Sequence, residues 1–122
     1  MPDINNCVTV LCMPYVISYY SDKIQEEIAN LPKTIVAKYF KLADRMEIFG
    51  PDLGMPHSRA MGDGVFELRI MGAEGIARVF YCTMIDCRIV MLHCFIKKTN
   101  QTPRNELSIA RRRKLEVCHV EP

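Results

Sequence analysis

"VFELRIMGAEGIARVFYCTMIDCRIVMLHCFIK", residues 65–97, decides how this chain folds. It divides into three runs rich in β-branched and aromatic side chains, 65–71, 76–84 and 88–97, each with the composition of a strand. Gly72 and Gly75 mark the first turn and Asp86-Cys87 the second, which predicts an antiparallel meander. Charges interrupt the apolar pattern at regular places. Glu67 and Arg69 alternate with Phe66, Leu68 and Ile70, and Arg78 alternates with Ala77, Val79 and Tyr81. Side chains point to opposite faces along a strand, so the charged set shares one face. An unpaired charge in a dry interior costs several kcal/mol, so that face should meet water or a charged ligand. The simplest register brings Glu67, Arg69 and Arg78 together, near Lys97 and Lys98 where the last strand emerges.

Upstream, "YVISYY" (15–20) reads as another strand. In "SDKIQEEIANLP" Asp22 can cap a helix with Gln25 completing a capping box. Ile35, Tyr39, Leu42, Ala43, Met46 and Phe49 recur at helical spacing opposite Lys38, Lys41, Asp44 and Arg45, and this second helix ends at Gly50-Pro51. "GPDLGMPHSRAMGDG" reads as loop, punctuated by glycine and proline. Downstream, Thr102 and Pro103 suit the cap and first position of a last helix, "TPRNELSIARRRKLEV". The order β-α-α-β-β-β-α predicts an α+β fold: a single antiparallel sheet with a two-helix pair on one face, a C-terminal helix, and one sheet face free.

With 122 residues, 49% hydrophobic and 25% charged, the chain has the balance of one globular domain. The longest apolar runs fall short of the roughly 20 residues of a membrane helix, and the start lacks the basic and small-residue features of a signal peptide. The six cysteines form no CxxC pair, and Cys82, Cys87, His93 and Cys94 fit no standard zinc spacing. Reduced thiols in a cytoplasmic protein are expected, with no metal and no cofactor. The net charge of +2 is uneven: from Arg88 onward eight cations stand against Glu106, Glu116 and Glu121. A positive field at that end suits phosphate or an acidic partner.

Arginines bind phosphate oxygens through paired N–H donors, and RNA carries its own nucleophile in the 2′-hydroxyl. Such a face can cleave RNA if one group takes the 2′-OH proton, the arginines stabilise the crowded phosphate, and an acid protonates the leaving oxygen. The same face also fits a non-catalytic module that binds RNA or an acidic partner.

The stretches "LPKTIVAKYFKLADRMEIFGPDLGMPHSRAMGDGVFELRI", "ARVFYC" and "RIVMLHCFIKKTNQTPRNELSIARRR", taken in that order, resemble HigB-type toxins of the RelE superfamily, in the phage-derived-protein-like branch. The resemblance runs from about Tyr15 to Lys114. It implies a RelE-like fold over residues 15–118, with 1–14 an N-terminal extension or the start of the first strand and 119–122 a tail. It also implies a cytoplasmic toxin of a type II toxin–antitoxin system, a metal-independent, ribosome-dependent mRNA endonuclease. The implied partners are a HigA-like helix-turn-helix antitoxin, mRNA in the ribosomal A site and ribosomal RNA. Membrane is not among them, and DNA is reached only through the antitoxin. By position, Arg69, Arg78, Lys97 and Lys98 take the catalytic roles. His93 and Glu67 are candidate acid or base groups. His57, Arg59, Arg104, Arg111, Arg112, Arg113 and Lys114 are candidate RNA or ribosome contacts. The catalytic tyrosine near the C-terminus of RelE has no counterpart here, and strand parity turns Tyr81 toward the helices. A degenerate toxin acting only in autoregulation with its antitoxin is the alternative within the family.

Overall fold

A computed structural model describes residues 14–96 and 104–120. Its elements are β1 (Val16–Tyr19), α1 (Asp22–Ala29), α2 (Lys33–Phe49), β2 (Ser58–Gly62), β3 (Val65–Gly72), β4 (Gly75–Thr83), β5 (Arg88–Ile96) and α3 (Arg104–Val120). Lys97 and Lys98, the segment 97–103 and the first thirteen residues lie outside the described residues. The fold is α+β, consistent with a RelE-like fold. The meander forms as the turns predict, with β3, β4 and β5 paired antiparallel.

The sheet has five strands in the order β1-β5-β4-β3-β2 and is mixed, because β1 runs parallel to β5. The connection through α1 and α2 carries the chain from β1 back across the sheet, and β1 then fills the outer edge of β5. The extra strand, β2, comes from the second half of the stretch expected to be loop. Asp63 and Gly64 both adopt positive φ (57° and 79°), the backbone of a tight hairpin turn, so "SRAMG" folds back onto β3.

Helix α1 starts one residue earlier than the capping box implies. The Ser21 hydroxyl accepts the Ile24 N–H at 3.3 Å, the bond expected of an N-cap. Gly50, at φ 96°, stops α2 and packs against the Tyr15 ring.

Two apolar layers hold the sheet. On one face Ile24, Ile28, Ile35, Tyr39, Leu42 and Met46 from α1 and α2 bury Leu68, Ile70, Val79, Tyr81, Ile89 and Met91. Tyr81 faces this layer, as parity predicts. It stacks on Phe66 at 5.4 Å and donates to the Pro51 carbonyl at 2.5 Å. The opposite face is not free. Val65, Phe80, Cys82, Val90 and Leu92 lie there, and α3 covers them with Ala110, Leu107 and Val117. Five apolar side chains on that face need a lid, and the C-terminal helix supplies it. The charged set therefore occupies only the part of the face beyond α3.

Cys82, Cys94 and Cys118 are free thiols, whereas Cys87 is disulfide-bonded. The expectation of reduced thiols thus fails at Cys87.

Candidate phosphate site on the sheet face

The register sets out the site as a grid. One row across the face runs Arg59, Glu67, Phe80, His93 on β2 through β5, and the next runs Arg69, Arg78, Phe95 on β3 through β5. Arg69 and Arg78 are thus directly opposed. Like charges at opposed positions on neighbouring strands are destabilising, so the pair needs an anion close by. Glu67 is that anion. Its Oε1 lies 2.6 Å from Arg78 Nη1 and 3.4 Å from Arg59 Nη2. The Glu67 and Arg78 side chains are each 2% exposed, while Arg59 is 50% exposed. Two guanidinium nitrogens keep unused capacity: the Nε atoms of Arg69 and Arg78 are buried without a hydrogen-bond partner. Each is an N–H donor able to take a second anion's oxygen.

β2 brings more to this place than a loop would. Parity puts His57 on the same face as Arg59, and the His57 carbonyl accepts the Arg69 N–H at 2.8 Å. Residues expected only as outlying RNA contacts therefore border the arginine cluster. The Asp63-Gly64 pair between apolar runs was the signal for this strand. The aromatic flank was not foreseen from sequence. Phe95 is the register partner of Arg78, and its ring lies 5.5 Å from Phe80 and 6.0 Å from His93. A half-buried aromatic one strand from a guanidinium is suited to stack a base beside a held phosphate.

His93 has both ring nitrogens occupied. Nε2 lies 2.5 Å from Glu106 Oε1, and Nδ1 lies 3.4 Å from Arg113 Nη1. Arginine only donates, so Nδ1 accepts and Nε2 carries the hydrogen toward Glu106. That arrangement ties β5 to α3. Arg113 strengthens the tie by donating to the Leu92 carbonyl at 2.8 Å and lying 4.8 Å above the Tyr20 ring centre.

The triple arginine is likewise divided. Arg111 donates to the Met61 carbonyl at 2.9 Å and lies 3.2 Å from Asp63 Oδ2, pinning the β2–β3 hairpin to α3. Lys114 rests against Gly64, where a Cβ would stand 3.1 Å from its Nζ. Arg104 and Arg112 are exposed and make the outward basic surface of α3. Among the described residues no group of His, Cys, Asp or Glu side chains has the arrangement of a metal site. No helix among them is long and apolar enough to cross a membrane.

Residues 26–115 match the family model described as Phage derived protein Gp49-like (DUF891). The chain belongs to this family. Gp49-like proteins belong to the RelE/ParE-like toxin superfamily and are toxin-like modules of toxin–antitoxin systems, which implies an antitoxin partner. The matched region contains both rows of the grid and all but the end of α3. No curated protein matches the chain.

Proposed function

We propose that this Gp49-like protein is a HigB-type toxin that cleaves mRNA in the ribosomal A site and is neutralised by a HigA-like helix-turn-helix antitoxin. The observation that carries the reading is the convergence of Arg59 and Arg78 on one buried carboxylate, with Arg69 directly opposite Arg78 and an unpartnered Nε–H donor left on each of Arg69 and Arg78. Membership of a group whose members are generally RNases supports it.

In this reading Arg69 and Arg78 hold the scissile phosphate and offset the charge that builds on its oxygens in the transition state. The Glu67 carboxylate, beside that phosphate, takes the 2′-hydroxyl proton as O2′ bonds to phosphorus. The P–O5′ bond breaks, leaving a 2′,3′-cyclic phosphate and a 5′-hydroxyl whose proton comes from the Lys97–Lys98 pair. No metal enters this proton balance. His93 serves as a tie between β5 and α3 rather than as acid or base. Arg104 and Arg112 meet ribosomal RNA, and the toxin works in the cytoplasm, where ribosomes are.

Cell-free translation tests the reading. Added protein should stop synthesis and co-sediment with ribosomes, with co-sedimentation falling steeply as salt rises. The Arg69→Ala variant should still sediment with ribosomes and fail to inhibit. Undiminished translation at saturating protein would overturn the proposal.

A further inference from the structure

The ion pair at the centre of the site raises a problem for any phosphate ligand. Arg78, the guanidinium best placed to hold a phosphate, is 2% exposed and already faces the Glu67 carboxylate at 2.6 Å. A phosphate oxygen needs the same place. The carboxylate is tethered two residues from Arg69 on the same strand, so its effective concentration at Arg78 is on the order of millimolar or more. A dilute phosphodiester in solution loses that competition. Meanwhile the buried Nε–H donors of Arg69 and Arg78 have no hydrogen-bond partner. A carboxylate presents two oxygens and a single charge. A phosphodiester likewise carries one charge on two free oxygens, but these diverge from a tetrahedral phosphorus rather than lying in one short plane, so they can accept from the leftover Nε–H donors as well as from the Nη atoms.

We infer that Glu67 is the resident occupant of an oxyanion site, and that a phosphate binds only by exchanging with it. The inference rests on the reading of Arg69 and Arg78 as phosphate ligands and assigns Glu67 a role before any chemistry begins. In the free protein the carboxylate holds Arg78 in an ion pair, which offsets the charge opposite Arg69 and keeps the site shut to stray phosphates. Arg59, half exposed at 3.4 Å from the same oxygen, is the second cation to which the displaced carboxylate swings. An RNA strand held in register by a larger surface brings its phosphate at an effective concentration that matches the internal competitor. Loose RNA does not. Dependence on the ribosome then has a cause within this chain's own residues.

Titration with inorganic phosphate, followed by calorimetry and by the rise in melting temperature, tests this without ribosomes or cleavage. Glu67→Gln removes the competing charge and should bind phosphate at least tenfold more tightly than the unaltered protein. Glu67→Asp keeps the charge but withdraws it by one methylene, guards against a misfolded glutamine variant, and should fall between the two. Adding Arg69→Ala to either variant should abolish the gain, which places the bound ion between the arginines. The inference is overturned if neither single variant binds phosphate more tightly, or if the gain survives loss of Arg69. An unaltered protein that leaves mRNA intact while Glu67→Gln gains phosphate would remove the nuclease reading and keep the exchange site.

Discussion

Replacing Arg78 by alanine leaves the Glu67 carboxylate in a place where it is 2% exposed and stripped of its partner at 2.6 Å. Removing one member of a buried ion pair costs about 3–5 kcal/mol, chiefly because the remaining charge stays buried. Arg59, half exposed at 3.4 Å, returns only about 0.2–1 kcal/mol, the worth of an exposed pair. The expected net loss is therefore about 2–5 kcal/mol out of the roughly 5–15 kcal/mol that holds a domain of this size. Urea denaturation followed by far-UV circular dichroism measures it as a lower midpoint at unchanged slope. Replacing both partners, Glu67→Leu with Arg78→Met, should recover most of the loss, because apolar isosteres have no charge to desolvate. If the single variant loses less than about 1 kcal/mol, or the double is as unstable as the single, the pair is solvated and its burial carries no energy. The same arithmetic makes Arg78→Lys, which keeps a cation opposite Glu67, the better choice for activity assays. It discards the planar, two-pronged donor geometry while retaining the charge.

Gly72→Ala would place a Cβ 2.5 Å from Thr34 Oγ1 and 2.7 Å from Ile35 Cγ1, so thermal melts should show a loss of about 1–3 kcal/mol from overpacking α2 on β3. Burial pushes the Tyr81 phenol up to about 12. The folded state thus keeps a proton that the unfolded chain loses near pH 10, so stability is intact below pH 10 and about 2–3 kcal/mol drains away between pH 10 and 12. Burial raises Tyr39 as well, so Tyr81→Phe should flatten that decline only in part. Burial also pushes the Cys82 thiol up to about 11 and the Cys94 thiol to about 12. Iodoacetamide at pH 8 should therefore label exposed Cys118 while sparing Cys82 and Cys94 until denaturant is added, and early labelling of either would contradict their burial.

The meander, both long helices and the shared face of Glu67, Arg69 and Arg78 were legible in the sequence, because period-2 and period-3.6 patterns report directly which side chains share a face. β2 was hidden by composition. Ser58, Arg59, Ala60 and Gly62 have little strand propensity, and pairing with β3 holds them extended. The parallel pairing of β1 was out of reach for a different reason, since nothing local says which edge a distant strand will join. The division of labour along α3 was equally hidden. Arg111, Arg112 and Arg113 are identical in type and adjacent in sequence, yet one pins a hairpin, one faces water and one braces His93. Only rotation by about 100° per residue, set against a particular sheet, separates them. The charge rule at the site could be read both ways. Two opposed arginines on neighbouring strands break the expectation for a stable sheet, and a locally unfavourable choice of this kind is where function is expected to lie.

Primer extension on a defined mRNA in a reconstituted translation reaction, with and without ribosomes, comparing the unaltered protein with a folded Arg78→Lys variant, tests the central claim most directly. The account predicts cuts within codons that need the ribosome, leave 2′,3′-cyclic phosphate ends and fall at least a hundredfold in the variant. Intact message at protein levels that saturate the ribosomes would contradict it, as would cutting that the variant performs equally well.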